Sequence, residues 1–325
     1  MSQTVAVVPN RNGVRWLPGL LASIERQTLA FARVIVVDDA STDGSVRWLA
    51  EHAPHVQVIA LASQQRFAAA VNAGLAVVGG DADAVALLNT DVVLEAHWHE
   101  RMRAALEQDD RCGAVAGKLV SLEHPGVIDD AGNVLRRDGV CEQRGRGHAD
   151  DGRFDTPGEL FGPCAAAALY RRSALTQAGG LDVRYGAYLE DVDLAVRLGL
   201  AGWRSRYVPG AVARHAGGGS VPALGRPVAA LVARNTLLVV ARYYPWRWAP
   251  LVIYRQAAWL WHAACAGRGP LREHVTGLLA GVAALPSAWR ERRAVRRGAV
   301  VPITQVVPAR PWRGPGAGGH PRGRA

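Results

Sequence analysis

The first quarter of the chain alternates short apolar runs with segments of helical spacing, and this alternation limits the fold more than any other feature. The apolar runs, rich in Val, Ile and Leu, are residues 5–8, 33–37, 56–60 and 85–88. The segments with helical spacing are residues 16–27, 45–52 and 67–78. Strands of this kind are buried on both faces, and their alternation with helices predicts an α/β fold with a doubly wound, mostly parallel sheet. The ligand of such a sheet lies beyond the carboxyl ends of its strands.

The rest of the chain divides by composition into further parts. Residues 112–221 mix strand-like segments with Gly-rich turns and contain one helix signal, at 190–201. Residues 308–325 form a Pro/Gly/Arg tail with too little apolar surface to fold. We therefore expect one domain over 1–221, made of halves 1–111 and 112–221, then a C-terminal amphipathic helical region over 222–307 and a disordered basic tail over 308–325.

Charge and cysteine content indicate the surroundings of the protein. The formal net charge of the 325 residues is +10, and many of the arginines lie in the C-terminal third, which points to an anionic surface as a partner. The four cysteines are far apart and lack C-x-x-C spacing, which argues against a zinc knuckle or a disulfide framework. The first apolar run has no basic segment before it and no cleavage site, so we expect a strand rather than a signal peptide, and a cytoplasmic protein.

Two apolar stretches in the C-terminal third, 228–240 and 249–266, are interrupted by Arg234 and Arg255. Neither has the roughly 20 apolar residues of a membrane span, so we predict surface-associated helices. Aromatic and basic side chains around them suit the headgroup level of an anionic bilayer. These side chains are Trp246, Trp248, Trp259, Trp261, Trp289, Arg290, Arg292, Arg293, Arg296 and Arg297. We therefore expect a peripheral protein on the inner face of the cell membrane; alternatively, these helices pack on the preceding domain or form a homodimer.

Two adjacent carboxylates, Asp38 and Asp39, directly follow the second strand. A buried carboxylate is costly unless it meets a hydrogen-bond donor, and a nucleobase N–H or a ribose hydroxyl would be such a donor. Thr42 and Asp43, a few residues later, are explained as helix caps. The pattern therefore predicts a nucleotide contact for at least one of Asp38 and Asp39.

The residues Asn89, Thr90 and Asp91 follow the fourth strand and enter the same crevice. A carboxylate at this place can hold Mg²⁺ or Mn²⁺ that bridges two phosphates. Alone, the string is equally typical of an Asx turn at the end of a strand.

Three acids, Glu190, Asp191 and Asp193, open the predicted helix at 190–201. Acids at a helix start complement its dipole, which is the simpler explanation for Asp193. Three acids in four positions exceed that need, so one of them is a candidate general base. His215 precedes a glycine run and is a candidate partner for a divalent metal or a diphosphate in a closing loop, although a lone histidine is more often a structural hydrogen-bonder.

Eight segments in order resemble the signature series of glycosyltransferase family 2, and in particular its bacterial rhamnosyltransferase-like members. In chain order they are VVPNRNG, VVDDASTDGS, FAAAVNAGL, LLNTDV, GAVAGKLV, FGPCAAAALYRR, GGLDVRYGAYLEDVDLAVRLGLAGW and VPGAVARHAGGGS. The resemblance covers about residues 4–220. It implies the GT-A fold, with a nucleotide-sugar-binding half over 1–111 and an acceptor half over 112–221.

Carried over position by position, the resemblance implies that Asp38 or Asp39 contacts the base and ribose and that Asp91 coordinates the metal. The pair Glu190-Asp191 matches the family's E-D motif, in which the Asp is usually the catalytic base. His215 matches a histidine that completes the metal or diphosphate site in some members. The residues expected to bind the donor are Pro9, Asn10, Arg11, Asp38, Asp39, Arg66, Asn89 and Thr90.

Three positions depart from the family pattern. Asn89 stands at the leading position of the D-x-D motif, so metal binding would rest on Asp91 and His215. Arg66 stands where relatives usually have a glycine, and it either reshapes its loop or offers a cation to the donor diphosphate. Arg11 replaces an aromatic residue that is common in the first motif.

The predicted function is that of an inverting, Mg²⁺- or Mn²⁺-dependent hexosyltransferase. It would move a sugar, such as rhamnose, from a dTDP-, UDP- or GDP-linked donor to a hydroxyl of a cell-surface glycan or lipid-linked saccharide. The alternative is an inactive nucleotide-sugar-binding or membrane-surface protein on the same fold, against which the retained acids argue. Nucleic acid is not an expected partner, because the basic residues gather in 290–297 and the tail instead of alternating with aromatics along a groove. A nucleotidyltransferase would carry a Gly-rich, basic loop after the first strand, which residues 9–13 match poorly.

Overall fold

A computed structural model describes residues 3–217 and 227–309, and its N-terminal part confirms the predicted alternation of strands and helices. The strands are β1 (Thr4–Asn10), β2 (Arg33–Asp38), β3 (Gln57–Ala60) and β4 (Ala84–Leu88), and the helices between them are α1 (Leu17–Glu25), α2 (Ser45–His52) and α3 (Phe67–Ala76). Strand β1 pairs in parallel with both β2 and β4, and β2 pairs in parallel with β3. The carboxyl ends of these strands therefore meet at one edge of the sheet.

The following part of the chain extends the same sheet. Its elements are β5 (Val92–Leu94), α4 (Trp98–Glu107), β6 (Cys112–Ser121), β7 (Ile128–Asp130), β8 (Asn133–Leu135), β9 (Cys141–Gln143), β10 (Gly158–Leu160), β11 (Ala167–Arg171), α5 (Arg172–Ala178), α6 (Glu190–Leu200) and β12 (Arg204–His215). The strand order is β10-β12-β6-β11-β4-β1-β2-β3, with β5 paired to β12 and β7 paired to β6. Strand β11 runs antiparallel between β4 and β6, and β12 runs parallel to β6. The short helix α5 did not follow from the sequence patterns.

Helices cover both faces of the sheet because successive strand residues point to opposite sides. Val8 of β1 belongs to an apolar cluster that includes Trp98 of α4, whereas Val7 belongs to a second cluster under α3. Helix α3 approaches the sheet very closely at Gly74, where a Cβ atom would lie 2.5 Å from Cγ1 of Val7 and 3.0 Å from Cγ2 of Val37. A larger residue at this position would push the helix away from the strands that carry the site.

The C-terminal part is helical. It contains α7 (Val228–Tyr243), a short 3₁₀ helix (Trp246–Trp248), α8 (Ala249–Ala266), α9 (Arg268–Gly298) and α10 (Ile303–Val306). Helix α7 is largely buried, and its Leu238 shares an apolar cluster with Val192 and Val196 of α6. Among the described residues of α8, by contrast, Val252 and Gln256 alone are buried. The prediction of surface-associated helices therefore suits α8, whereas α7 is part of the core beside α6.

Helix α9 packs directly on α7 at two glycines. A Cβ atom on Gly277 would lie 2.3 Å from the carbonyl oxygen of Ala230, and one on Gly281 would lie 2.8 Å from Cδ1 of Leu237. These positions admit no side chain without separating the helices.

Two residues that were predicted to face a membrane are buried instead. The ring of Trp248 packs edge-on against Tyr244, with ring centroids 4.9 Å apart. Arg292 donates from Nη1 to the carbonyl oxygen of Ala241 at 2.6 Å, and from Nη2 to that of Tyr244. Arg292 thereby satisfies carbonyl groups at the end of α7. This contact depends on how α9 packs on α7, which the sequence pattern does not show.

Every helix within the described residues falls short of the length or the apolar character that crossing a bilayer requires. The tail predicted to be disordered lies outside the described residues from position 310 onward. The glycine run predicted to close over a ligand lies outside them from position 218.

Candidate active site

The carboxyl ends of β1 and β2 meet at Asn10 and Asp38, which face each other in the parallel register. Nδ2 of Asn10 donates to Oδ1 of Asp38 at 2.6 Å, and the amide of Ser41 donates to Oδ2 of Asp38 at 2.8 Å. The protein itself therefore satisfies this buried carboxylate. Oδ1 of Asn10, by contrast, is buried and has no hydrogen-bond partner among the described residues.

Asp39 closes the loop that leads into α3. Its Oδ1 accepts from the amide of Gln65 at 2.5 Å, and its Oδ2 accepts from the amide of Arg66 at 2.9 Å. N–H groups of the protein already serve Asp38 and Asp39, so these buried acids do not need a nucleotide as their donor, contrary to the expectation from the sequence. Their contact with a nucleotide stays a prediction.

Arg66 has a φ of +73°, the left-handed region that favours glycine. This backbone conformation explains why a glycine would suit the position. The side chain is exposed and passes Gly186, on which a Cβ atom would lie 3.4 Å from Cδ and Nη1 of Arg66. Arg66 thus reaches from the loop before α3 to the loop before α6.

Arg11 lies over the end of β2. Its Nη1 donates to the carbonyl oxygen of Asp39 at 2.7 Å and also to that of Ala40. Pro9 and Arg11 are both partly exposed at this edge of the sheet. The structure therefore places them beside the crevice, with the guanidinium group bound to backbone carbonyls.

The turn after β4 contains Asn89, Thr90 and Asp91. A Cβ atom on Gly13 would lie 3.0 Å from Oγ1 of Thr90 and 2.4 Å from Oδ1 of Asn10, so this turn contacts the loop after β1. Oδ1 of Asn89 is also buried without a hydrogen-bond partner among the described residues. Two buried amide oxygens thus lie unpaired at the ends of β1 and β4.

The structure brings the two predicted metal ligands together. Strand β5 pairs with the end of β12, so that His215 faces Val92 and lies next to Asp91. Nε2 of His215 is 3.4 Å from Oδ1 of Asp91. A carboxylate oxygen and an imidazole nitrogen are both metal ligands, and this separation would allow one divalent ion to bind both.

Within residues 3–217 and 227–309, no group of three or more His, Cys, Asp or Glu side chains is arranged to hold a metal ion. Asp91 and His215 would therefore supply two ligands, and phosphate oxygens and water the others. Mg²⁺ commonly binds through one or two carboxylates, together with substrate phosphates and water. The residues present fit a metal that is bound together with a diphosphate.

Asp129, which the sequence analysis did not single out, lies on the other side of His215. Its Oδ2 is 2.7 Å from Nδ1 of the imidazole. Burial lowers the pKa of His215, but the hydrogen bonds to Asp129 and Asp91 outweigh it and raise the pKa to about 9. No motif connects Asp129 to His215, because 86 positions separate them.

Glu190 and Asp191 lie in the first turn of α6 and have different surroundings. Oδ2 of Asp191 accepts from Nδ2 of Asn133 at 3.0 Å and from the amide of Ala165 at 3.3 Å, and its Oδ1 accepts from the amide of Val192 at 2.8 Å. Asp191 stays partly exposed. Glu190 is buried, and its Oε2 has no hydrogen-bond partner among the described residues.

Burial raises the pKa of both carboxyl groups. The pKa of Glu190 rises to about 8, because the group is buried and lies beside Asp191. Burial also raises the pKa of Asp191, although the hydrogen bonds from Asn133 and from backbone amides favour its ionised form. Asp191, which receives N–H donors and stays partly exposed, is therefore the member of the pair that the geometry favours as the proton acceptor.

One short segment connects the two sides of the crevice. The amide of Ala165 donates to Asp191, and the carbonyl oxygen of Ala166 accepts from the amide of Asn89 at 2.8 Å. The predicted base therefore lies close to the end of β4. Asp130, also missed from the sequence, is buried in this region, and burial with Asp129 and Asp191 nearby raises its pKa to about 7.

Helix α7 holds the turn that precedes the E-D motif. Tyr188 and Leu189 both have a φ of +66°, which costs a non-glycine residue about 1–3 kcal/mol. Nδ2 of the buried Asn235 donates to the carbonyl oxygens of Tyr185, Ala187 and Tyr188, at 3.0, 3.0 and 2.7 Å. These contacts fix the strained turn in place.

Asp193 is a structural acid. It is fully buried, and its oxygens accept from Nε of Arg197 at 2.8 Å, from Nη1 of Arg242 at 2.9 Å and from the hydroxyl of Tyr243 at 2.5 Å. The simpler interpretation of Asp193 as a structural residue therefore agrees with the geometry, although side chains of α6 and α7 are its partners.

A family model, Glycosyl transferase family 2, matches residues 5–179, which is more than half of the chain. The chain belongs to glycosyl transferase family 2. This family 2 protein is 33% identical over 229 residues to N-acetylglucosaminyl-diphospho-decaprenol L-rhamnosyltransferase of Mycobacterium tuberculosis, covering 61% of this chain and 71% of the relative. It is 31% identical over 211 residues to pre-mycofactocin glycosyltransferase of the same organism, covering 64% and 42%. The predicted likeness to rhamnosyltransferases within the family is confirmed.

Solved structures show the fold of this glycosyltransferase. A structure of GalNAc-T7 with UDP, GalNAc and Mn²⁺ matches with a TM-score of 0.60 at 14% identity, covering 74% of this chain and 49% of that one. Staphylococcus aureus TarS matches with a TM-score of 0.50 at 14% identity, covering 73% and 39%. The chain spans about half of the first protein and less of the second, and the predicted GT-A fold is confirmed.

Proposed function

We propose that this family 2 protein is an inverting, metal-dependent glycosyltransferase that transfers L-rhamnose from a nucleoside diphosphate to a hydroxyl of a lipid-linked saccharide. The observation that carries the proposal is that residues 165–166 connect the Asp91–His215 pair at the end of β4 to the carboxylate of Asp191. Asp91 and His215 lie 3.4 Å apart at the end of β4, which suits a metal-bound diphosphate. The oriented, partly exposed carboxylate of Asp191 lies beyond residues 165–166, which suits an acceptor hydroxyl.

The donor would lie over the carboxyl ends of β1, β2 and β4. The unpaired buried oxygens of Asn10 and Asn89 would accept hydrogen bonds from its hydroxyl or N–H groups. Arg66 is exposed beside Gly186 and would place a cation against the diphosphate. The other residues that would line the donor site are Pro9, Arg11, Asp38, Asp39 and Thr90.

In the transfer, Asp191 would remove the proton of the acceptor hydroxyl. The acceptor oxygen would attack the anomeric carbon on the face opposite the diphosphate. The new C–O bond forms as the bond from the anomeric carbon to the diphosphate oxygen breaks, so the configuration inverts. Asn133 and the amide of Ala165 hold the carboxylate of Asp191 in place for this step. A divalent ion on Asp91 and His215 would neutralise the charge that develops on the leaving diphosphate.

An acceptor of the lipid-linked class is supported by a relative and by the surface of the C-terminal helices. The M. tuberculosis relative is named for the acceptor N-acetylglucosaminyl-diphospho-decaprenol. We define the C-terminal apolar face as the large, exposed apolar side chains of the 3₁₀ helix, α8 and α9. They are Trp246, Leu251, Ile253, Tyr254, Trp261, Val275, Leu279, Val282 and Trp289. Exposed arginines, including Arg247, Arg268 and Arg290, lie on the same elements.

This combination supports contact with the anionic inner face of the cell membrane. Aromatic side chains that are about 70% exposed, such as Tyr254 and Trp261, favour the headgroup level of a bilayer. The alternative use of the C-terminal apolar face is an interface between two copies of the chain.

A donor screen tests the proposed function. The full chain would be incubated with dTDP-rhamnose, UDP-sugars or GDP-sugars and a short-chain N-acetylglucosaminyl-diphospho-prenol, with and without Mn²⁺. We expect Mn²⁺-dependent transfer of rhamnose, with NMR showing inverted configuration at the anomeric carbon. Nucleotide-sugar binding without transfer to any hydroxyl acceptor would favour the inactive binding protein instead.

A further inference from the structure

Asp129 lies at a β-bulge beside the proposed metal ligands. Strand β7 pairs with β6 through Ile128 and Asp130, which face successive residues of β6, so Asp129 is an extra residue in the ladder. Bulges often redirect a side chain next to an active site. Here the carboxylate of Asp129 meets His215 on β12, the strand that pairs with β6 on its other side.

The two ring nitrogens of His215 have separate carboxylate partners. Oδ2 of Asp129 is 2.7 Å from Nδ1, whereas Oδ1 of Asp91 is 3.4 Å from Nε2. Because the two nitrogens point in different directions, a carboxylate hydrogen-bonded to Nδ1 lies away from an ion bound at Nε2. The side chains of Asp129 and His215 are each 12% exposed, so this hydrogen bond is largely shielded from water.

Another cation contributes little to the placement of Asp129. Nη2 of Arg146 lies 3.8 Å from Oδ1 of Asp129, and 60% of the Arg146 side chain is exposed. Such a long, solvated ion pair is weak. The hydrogen bond to Nδ1 of His215 is therefore the contact that matters for the carboxylate.

We propose that Asp129 is a positioning residue that accepts the Nδ1–H of His215 and so orients Nε2 toward the ion shared with Asp91, where the ion would take the place of the Nε2 proton. The inference rests on the proposed function, because it requires a divalent ion at this pair. Histidines that bind metals usually donate their second ring N–H to a carboxylate or carbonyl, and loss of that partner typically weakens metal binding about 10- to 100-fold.

Mn²⁺ binding to the full chain, measured from the EPR signal of the free ion in the presence of dTDP, tests this role. The asparagine amide in Asp129→Asn can donate a hydrogen bond to Nδ1 as well as accept one from it. The imidazole proton can then lie on Nε2, where the metal must bind. We expect the Kd of Mn²⁺ to rise about 10- to 100-fold. Asp138→Asn is the matched control, because Asp138 is 13% exposed and forms ion pairs with Arg136 and Arg255. Its Kd should equal that of the wild type.

A double-mutant cycle with His215→Gln separates positioning from direct ligation. If Asp129 acts through His215, then Asp129→Asn should change the Kd little once the imidazole is absent. Thermal unfolding monitors the fold of each variant. Asp129→Ser, whose short hydroxyl cannot reach Nδ1, replaces Asp129→Asn if the latter does not fold, and the same rise in Kd is expected.

An unchanged Kd in a folded Asp129 variant, or a full effect of the substitution in the His215→Gln background, overturns the proposal. Failure of the wild type to bind Mn²⁺ with dTDP would contradict the proposed metal-dependent function. The two failures are therefore distinguishable.

Discussion

Glu190 and Asp191 are neighbours in sequence, but the fold gives their carboxyl groups different chemistry. Asp191 is open to the crevice and receives three N–H donors, which stabilise and orient the carboxylate. Glu190 is buried with one oxygen unpaired, and its pKa is raised to about 8. A general base must be ionised and within reach of substrate, so the geometry favours Asp191.

Asp191→Asn should lower turnover about 10²- to 10⁴-fold, because the variant lacks the base while its amide keeps a similar shape. Donor affinity should change little, since the base faces the acceptor. Glu190→Gln is the matched control and should retain most activity, because the amide resembles the protonated acid. Steady-state kinetics with both substrates gives kcat and donor KM. A larger loss in Glu190→Gln than in Asp191→Asn would reverse the assignment.

Glu190 should also make stability depend on pH. Its pKa of about 8 in the folded chain exceeds its ordinary value of 4.5, so protonated Glu190 stabilises the fold. This contribution is fully present below about pH 4.5 and is lost as the pH rises through about 8. Glu190→Gln imitates the neutral acid, so the Tm of the wild type should fall relative to that of Glu190→Gln over this range. A constant Tm difference in circular-dichroism melts would contradict the burial of an acid with a raised pKa.

The candidate residues that the sequence singled out directly follow or open a predicted element, as Asp91, His215 and Asp191 do. Asp129 and Asn133 could not be identified, because their partners lie 86 and 58 positions away and the folded sheet alone brings them together. The donors that satisfy Asp39 were missed for the same reason, since they are backbone amides of a loop 26 positions later. A pattern of buried carboxylates predicts that hydrogen-bond donors are present, but it does not predict which groups donate.

Helix α7 connects the C-terminal helices to the turn before the E-D motif. Besides the three hydrogen bonds of Asn235, Arg242 forms ion pairs with Asp182 before the turn and with Asp193 in α6. The turn with two left-handed residues is therefore held from one side by a single helix. Residues 222–307 are expected to matter for catalysis, even though the matched family segment ends at residue 179.

Asn235→Ala should loosen this turn and reduce turnover while leaving donor binding intact. The loss leaves buried carbonyls without a donor, which costs about 1–3 kcal/mol of stability. Hydrogen exchange should show lower protection for residues 185–193 than in the wild type. Gln256→Ala is the matched control, because Gln256 is a buried amide of α8 whose polar atoms have no hydrogen-bond partner among the described residues. Equal exchange and equal kcat in Asn235→Ala and Gln256→Ala would show that Asn235 does not hold the turn.

The strands and helices of the donor half were predictable because buried parallel strands are continuous apolar runs. Helix α9 lies within the predicted helical region 222–307, but its continuous length was not predictable, since its Gly277, Gly281 and Pro286 are local signals against a helix. In the fold, both glycines are sites of direct contact with α7. Tertiary packing thus overrides propensity where the helix lies against its partner.

Helix α7 links the candidate active site to the C-terminal apolar face. It holds the turn before the E-D motif and packs directly against α9. A lipid-linked acceptor would lie in the membrane, whereas the nucleotide-sugar donor is soluble. A protein that uses both benefits from contact with the bilayer. Exposed arginines on the 3₁₀ helix and α9, such as Arg247, Arg268 and Arg290, add attraction to anionic lipid. Each charge near the membrane surface is worth about 1 kcal/mol.

Flotation with anionic liposomes tests this orientation. We expect the wild type to float at low salt and to be partly released at high salt, because charge attraction is screened while apolar contact remains. The double variant Tyr254→Ser/Trp261→Ser should lose most binding, whereas Val300→Ser, an exposed apolar residue beyond α9, should bind like the wild type. A wild-type chain that stays unbound at low salt, yet remains active, would leave a homodimer as the use of the C-terminal apolar face, and sedimentation would then show it.

The proposed function requires a divalent ion held by Asp91 and His215. The most direct test compares sugar transfer by the metal-stripped wild type, by the same protein after Mn²⁺ is restored, and by Asp91→Ala at saturating Mn²⁺. We predict no transfer without metal, full recovery with Mn²⁺, and none by Asp91→Ala, whose thermal unfolding should still be cooperative. Full activity of the wild type in excess chelator after exhaustive removal of metal, or wild-type turnover by Asp91→Ala, would contradict the claim.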